Sequence, residues 1–303
     1  MTRWTANDIP DQTGRLAVVT GASSGIGLHI AGALAAKGAR IILAVRDLER
    51  GRAAQERIIA ESPKAALDLQ ELDLTSLLSI RNAAKALIES TPQIDLLVNN
   101  AGVMFTPRSS TSDGFELQFG TNHLGHFALT GLLIEHLLKA RGSRVVTLSS
   151  HSHKSRSEID FDDLHCQRKY DPVVAYGRSK LANILFSYEL NRRLEGRSST
   201  TALAAHPGLA NTGLARQASP MLRYGWALLG PLVLQSAQMG ALPALRAATD
   251  PDARGAQYFG PAGFGEFRGY PKVVESSPMS HDQALQRRLW SVSEELTEVT
   301  YPV

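Results

Sequence analysis

The chain has 303 residues, 43% apolar and 20% charged, an ordinary soluble globular composition and enough for one large α/β domain or two small ones. Its formal charge of +3 is small and scattered, which argues against nucleic acid as a partner. One cysteine, Cys166, excludes an internal disulfide and fits a reducing compartment; no run reaches the ~18 to 20 apolar residues of a membrane span, and residues 1–14 lack the apolar centre of a signal peptide, so a cytoplasmic protein is expected.

Residues 1–14 read as an extension draped over the domain. Residues 16–20 are apolar almost throughout, as a strand covered on both faces should be. Gly21-Ala22-Ser23-Ser24-Gly25-Ile26-Gly27 follows, then a helix over 28–38 closed by Gly38. Strand, glycine turn and helix in this order place a phosphate against helix N–H groups. Gly21 suits the tight turn, Gly25 lets backbone approach a pyrophosphate, and Gly27 lets helix and strand pack closely. The spacing is Gly-x-x-x-Gly-x-Gly, not the Gly-x-Gly-x-x-Gly of most dinucleotide folds.

Residues 39–45 predict a second strand, 48–60 a helix stopped by Ser62-Pro63, 65–72 a third strand, and 76–89 a helix ending before Pro92. A fourth strand is expected at 94–98, one long helix or two in sequence within 113–140, and a fifth strand at 144–148. After a polar insert come a helix at 173–194 and a sixth strand at 200–205. From Leu209 to Met239 the pattern becomes apolar and broken by Gly and Pro, with Met221, Tyr224 and Trp226. We expect a lid over an apolar substrate at about 209–245. The rival reading, an amphipathic helix on a membrane surface, has only Arg216 and Arg223 as cations. The tail holds a short strand at 257–259, a Gly/Pro-rich turn region and an amphipathic helix at about 281–298.

Alternating strands and helices imply βαβ units: an α/β, Rossmann-type doubly wound parallel sheet with helices on both faces, one domain over 1–303. Such a sheet binds ligand at the carboxyl ends of its strands. The chemistry-bearing residues fall there: Gly21, Arg46, Asp73, Asn99, Ser149-Ser150 and His206-Pro207-Gly208, after strands one to six in turn.

Tyr176 and Lys180 stand at i and i+4, on one helix face. A phenol of pKa about 10 is a poor acid–base group at neutral pH, and a cation one turn away favours phenolate. The pair could pass a proton to or from an alcohol or carbonyl oxygen.

With that pair, the chain resembles the short-chain dehydrogenase/reductase superfamily from Leu16 to about Thr212. The carriers are Thr20-Gly-Ala-Ser-Ser-Gly-Ile-Gly27, Asp73-Leu74, Asn99-Asn100-Ala101-Gly102, Asn122, Ser149-Ser150, Tyr176 with Lys180, Pro207-Gly208 and Thr212, in family order. The resemblance implies that Tyr176 is the proton donor or acceptor, that Lys180 lowers its pKa and holds the nicotinamide ribose, and that Ser150 bonds the substrate oxygen. It implies that Asn122 holds a water linking Lys180 to solvent, that Asp73-Leu74 holds the adenine, and that Thr212 and the backbone after Pro207 grip the carboxamide. Hydride transfer belongs to the nicotinamide.

NAD-selective members place an acid at the end of strand two. Here Val45 stands there with Arg46 next, and an arginine can pair with a 2′-phosphate in a forked, charge-assisted way. NADP(H) is therefore expected; Asp47, if turned inward, would repel that phosphate. Val45-Arg46-Asp47, Asn122-His-Leu-Gly-His-Phe127, Tyr176-Gly-Arg-Ser-Lys-Leu-Ala-Asn183 and the long Ser150–Tyr176 gap are similar to the retinol dehydrogenase and protochlorophyllide-reductase-like branch. That implies a lipophilic aldehyde or ketone and its alcohol as substrate, while the N-terminal anchor common in membrane-bound retinol dehydrogenases has no counterpart in residues 1–14.

His123/His126 and His151/His153 lack a cysteine or clustered carboxylates to complete a metal site, and His123 and His126 read as packing or hydrogen-bonding residues near Asn122. Two alternatives stay open: carbon–carbon double-bond reduction, and a non-catalytic NADP-binding sensor. Family members pair through the helices at 113–140 and 173–194; Ala182, Ile184, Leu185 and Phe186 on the second would suit a partner, so a homodimer or homotetramer is expected.

Overall fold

A computed structural model describes residues 3–155, 157–209 and 235–303. Eight strands form one sheet in the order β3-β2-β1-β4-β5-β6-β7-β8: β1 (Leu16–Thr20), β2 (Arg40–Val45), β3 (Ala66–Glu71), β4 (Leu96–Asn99), β5 (Arg144–Leu148), β6 (Thr201–Ala205), β7 (Tyr258–Pro261) and β8 (Pro271–Val273). Pairing is parallel from β3 to β7, and β8 closes the edge antiparallel to β7. The chain leaves β1 toward β2 and β3 at one edge, then returns to β4 beside β1. That reversal opens a crevice at the carboxyl ends, where such sheets bind ligand.

The helices are α1 (Gly25–Ala36), α2 (Leu48–Glu61), α3 (Leu77–Ser90), α4 (a single turn, Leu117–Phe119), α5 (Gly125–Lys139), α6 (Pro172–Leu194), α7 (Ala237–Thr249) and α8 (Gln283–Thr297). Apolar residues on alternate sides of each central strand build two cores. Ala17 and Val19 of β1, with Ile41, Leu43 and Val45 of β2, face α1, α2 and α7. Leu16, Val18, Ile42 and Ala44 face α3, α5 and α8. This is why β1 and β2 read as unbroken apolar runs rather than alternating ones.

Three departures from the expected pattern have physical causes. The span 113–140 is interrupted by a π turn, Gly120–Leu124, between α4 and α5. Residues 237–245, expected within the lid, belong to α7, whose Ala241, Leu242 and Leu245 pack with Ala31, Leu34 and Ala35 of α1 in one core. Residues 210–234 of the expected lid, with Thr212, Met221, Tyr224 and Trp226, lie outside the described residues. Third, the face of α6 expected to receive a partner is already covered. Ala182, Ile184, Leu185 and Phe186 are buried within the chain itself, Leu185 against Leu289 of α8 and Phe186 stacked on Trp290. The C-terminus completes that cover: Tyr301 donates its hydroxyl proton to the carbonyl of Phe127 at 2.6 Å, and a side chain at Gly131 would collide with Tyr301 and Val299, 2.6 Å away. The N-terminal extension does drape over the domain, with Ile9 buried and Lys37 Nζ bonded to the carbonyl of Asn7. No helix among the described residues is long and apolar enough to cross a membrane.

Candidate active site

The turn after β1 is shaped by missing side chains. Gly21 and Gly25 have φ of +67° and +56°, a region that side chains disfavour. A Cβ on Gly21 would lie 2.9 Å from Ala101, and one on Gly27 would lie 2.5 Å from both the carbonyl oxygen of Gly21 and Asn100 Nδ2. Ser24 caps α1 without a side-chain hydrogen bond, whereas Asp47 and Ser76 cap α2 and α3 with theirs. The first-turn N–H groups of α1 are thus left for another acceptor. Ser23 and Ile26 complete this turn. Asp47 is occupied as the cap of α2, accepting from the Arg50 N–H at 3.1 Å, and Arg46 beside it is exposed. Asp73 Oδ1 accepts from the Thr75 N–H and hydroxyl, at 2.9 and 2.8 Å. Leu74 is buried, its carbonyl against Gly125.

The loop after β4 meets this turn through Thr20. The N–H groups of Asn100 and Ala101 donate to Thr20 Oγ1 at 2.9 and 3.0 Å, and Asn100 Nδ2 donates to the Thr20 carbonyl at 2.7 Å. Thr20 Oγ1 also lies 2.9 Å from His126 Nε2, and His126 Nδ1 lies 2.9 Å from the carbonyl oxygen of Asn122. The side chain of Asn122 pairs with both backbone groups of Val103, at 2.8 and 3.0 Å, and donates to Ser179 Oγ at 2.9 Å. Gly102 leaves room for this: a Cβ there would stand 2.9 Å from Asn122 Oδ1 and 3.6 Å from Lys180 Nζ.

Tyr176 and Lys180, on α6, are 6% and 5% exposed, with the ammonium 5.7 Å from the phenol ring centre. Lys180 Nζ donates to the carbonyl of Leu148 at the end of β5, at 3.1 Å. The hydroxyl of Ser149 pins α6 to that end by donating to the Lys180 carbonyl at 2.7 Å. Burial pushes the Tyr176 phenol up to about 12, opposed by a hydrogen bond with Ser150, and pushes the Lys180 ammonium down to about 8. Desolvation thus governs the phenol in the protein alone, and the lowering expected from Lys180 is not seen there.

Ser150 is held from behind. His153 Nδ1 donates to the Ser150 carbonyl at 2.6 Å, and the Ser277 N–H donates to His153 Nε2 at 3.0 Å. The far wall is a clamp on one carboxylate: Glu266 pairs with Lys154 at 3.1 Å and bonds the buried, neutral His206 Nε2 at 3.0 Å. The hydrogen bond from His206 holds its carboxyl down to about 2. His206 Nδ1 in turn accepts from the Gly208 N–H at 3.3 Å, and Gly208 (φ +65°) runs so close to Phe267 that a Cβ there would collide with its carbonyl. Phe105, at φ +54°, stands edge-on to Tyr176 with ring centres 5.2 Å apart. Its N–H donates to the buried Gln118 Oε1 at 2.8 Å.

A family model for short chain dehydrogenases matches residues 15–223. The chain belongs to the short-chain dehydrogenases. Within that family it is retinol dehydrogenase-like: human retinol dehydrogenase 13 is 41% identical over 95% of this chain and 86% of its own length. A crystal structure of an uncharacterized protein from Mycobacterium Paratuberculosis, 41% identical, superposes over 100% of both chains with a TM-score of 0.82. The Pseudomonas aeruginosa RhlG/NADP active-site complex, 26% identical, covers 81% of this chain and 94% of its own, with a TM-score of 0.65. This dehydrogenase is therefore an oxidoreductase on a fold that binds a nicotinamide nucleotide.

Of the residues expected from the motifs, the structure brings Gly21, Gly27, Asn100 and Ala101 into mutual contact at one end of the crevice. It gathers Asn122, Gly102, Ser150, Tyr176 and Lys180 at its centre. Asp73, Leu74, Arg46, Pro207 and Gly208 follow their strands at the same carboxyl edge, and Thr212 lies outside the described residues. Motif reading of a dehydrogenase missed the supports: His153 behind Ser150, Glu266 behind Pro207-Gly208, and Gln118 behind Phe105. Only the i, i+4 spacing of Asn122 and His126 was a usable signal.

Proposed function

We propose that the chain is an NADP(H)-dependent oxidoreductase interconverting a lipophilic aldehyde or ketone and its alcohol. The observation that carries the reading is the Ser150–Tyr176–Lys180 group, its phenol and ammonium buried, beside a glycine turn whose close approaches admit no side chain. The turn fits a dinucleotide: α1 presents first-turn N–H groups without a side-chain cap, and Gly21, Ser23, Ser24, Gly25, Ile26 and Gly27 would cradle the pyrophosphate. Asp73 and Leu74 would hold the adenine, Asn100, Ala101 and Gly102 the adjoining ribose side, and Pro207, Gly208 and Thr212 the carboxamide. Arg46, exposed and unopposed by the capped Asp47, supports pairing with a 2′-phosphate.

A bound nicotinamide supplies or accepts the hydride. Tyr176 gives its phenolic proton to the substrate oxygen in reduction and takes it back in oxidation. Ser150 bonds that same oxygen, which favours a carbonyl over an isolated carbon–carbon double bond. Lys180 holds a positive charge beside the phenol and bonds the ribose, and Asn122 orders the water that returns protons to Lys180. The apolar ring of Phe105 beside Tyr176 and the likeness to retinol dehydrogenases favour a lipophilic substrate.

The test is a screen of aldehydes, ketones and alcohols with both nicotinamide cofactors, followed by absorbance of the reduced ring. Tyr176→Phe should lower kcat on any active substrate by about 10²- to 10⁴-fold while leaving NADPH affinity within a few-fold. NADPH binding with no turnover across the screen would instead make the chain a sensor.

A further inference from the structure

We infer that His126 is a positioning residue that ties the carbonyl group of Asn122 to Thr20, joining the proton path under Lys180 to the glycine turn. The inference rests on the proposed role of Asn122. It begins with a π turn, in which the backbone pairs i with i+5, as the Gly125 N–H does with the Gly120 carbonyl. Into that widened turn His126, at i+4 from Asn122, brings a ring nitrogen to the Asn122 carbonyl oxygen.

Donor counting fixes what the ring does. A carbonyl only accepts, so Nδ1 carries the proton. A hydroxyl has two acceptor sites and one proton. Both acceptor sites of Thr20 Oγ1 are taken, by the N–H groups of Asn100 and Ala101. Its proton is what remains, and it faces His126 Nε2 at 2.9 Å, with the Val98 carbonyl farther off at 3.3 Å. Nε2 must therefore accept. One neutral tautomer satisfies every group, whereas an imidazolium would set its Nε2–H against the Thr20 hydroxyl proton, two donors with no acceptor between them. The ring is buried; the charged groups facing it are Lys180 and, in its ionised form, His123, and both oppose a cation there. Burial holds His126 down to about 4, so the tautomer persists through the neutral range.

Two consequences follow from one ring. On the Nδ1 side the ring holds the backbone of Asn122, whose side chain bonds Val103 and Ser179 and lies against Gly102 beside Lys180. On the Nε2 side the Thr20 hydroxyl is held in the rotamer that receives Asn100 and Ala101. Those two residues pack on Gly21 and Gly27, so their placement bears on nucleotide affinity.

The two sides can be cut separately in the full chain. Asparagine carries an amide N–H at the position of Nδ1 but does not reach Thr20. Glutamine reaches Thr20 but drops the Asn122 carbonyl. We expect His126→Asn to keep kcat within twofold and to weaken NADPH affinity, read by its fluorescence, three- to tenfold. We expect His126→Gln to keep that affinity within twofold and to lower kcat about tenfold. Thr20→Val, which leaves the ring intact, should repeat the His126→Asn result and remains readable if either histidine variant melts. Equal losses of kcat and affinity in both histidine variants, or a loss of kcat in Thr20→Val as large as that in His126→Gln, would overturn the inference. A wild-type protein that binds NADPH without carbonyl turnover sinks the catalytic reading alone, because the affinity arms of the test still stand.

Discussion

The two halves of the crevice are made by opposite means. The β1–β3 half is built from what is absent: Gly21, Gly25 and Gly27 let backbone meet backbone, and few side chains take part. The β4–β6 half is built from buried polar side chains that hold one another, Asn122 to Val103, Ser149 to Lys180, His153 to Ser150. The difference follows from the work each half does. A pyrophosphate is bound by N–H groups and a helix terminus, so closeness is the requirement. A proton must be passed at a fixed point, so orientation is the requirement, and a buried polar group stays oriented only when every partner is satisfied. The first half should therefore fail by steric intrusion and the second by loss of single hydrogen bonds.

The largest effect is expected from Gly27→Ala. Its Cβ would sit 2.5 Å from the Gly21 carbonyl and from Asn100 Nδ2, both close to backbone that cannot swing aside. Overpacking of this kind costs ~1–3 kcal/mol of stability. The displaced turn should also lose nucleotide affinity by roughly a hundredfold, about 3 kcal/mol. Thermal melting and NADPH titration read the two losses. Binding within threefold of wild type would show that the turn can relax, and the contrast between the halves would lose its steric side.

The same contrast explains what could be read from the residues in order. Glycine spacing and apolar runs carry the first half on their face, because a missing side chain and a doubly covered strand leave direct marks. β1 and the turn after it stand where the motif put them. The second half is legible only in its chemical tips. Ser150, Tyr176 and Lys180 carry recognisable spacing, but His153 meets Ser277 across 124 positions and His206 meets Glu266 across 60, distances at which no local pattern exists. The same limit misled the reading of α6. Apolar residues on more than one of its faces suited a partner, yet the sequence around it says nothing of what covers them, and the cover includes the chain's own α8 and Tyr301. α7 was hidden for a related reason: Pro243 inside it and an apolar stretch before it made its pattern read as one broken segment.

A middle-sized effect sharpens the first half, where one side chain does matter. Arg46 is exposed and nothing in its surroundings orients it as a structural group, so Arg46→Ala should leave stability unchanged. A charge-assisted bond to a phosphate is worth about 1.5–3 kcal/mol, less in full solvent contact. The preference for NADPH over NADH in kcat/KM should fall about tenfold. An unchanged ratio would mean that the 2′-phosphate is read elsewhere, and that backbone alone serves this half.

The smallest change probes the second half by charge rather than by contact. Lys180 loses its proton at about 8 because burial disfavours the ammonium, whereas Tyr176, pushed up to about 12, stays protonated across the working range. In the reductive direction the phenol is already in its acid form, so the high-pH limb of kcat/KM belongs to Lys180: activity is full below about pH 8 and declines above it as the cation is lost. The stability sign runs the other way. A lysine whose folded pKa lies below its ordinary 10.5 costs stability at low pH, and that cost fades as pH rises from 8 toward 10.5. Arginine stays charged throughout this range but is bulkier and planar. Lys180→Arg should lower the neutral-pH rate several-fold, through misfit against the Leu148 carbonyl, and should abolish the decline above pH 8. If the decline persists unchanged in Lys180→Arg, the titrating group is not Lys180, and the charge beside the phenol has another source.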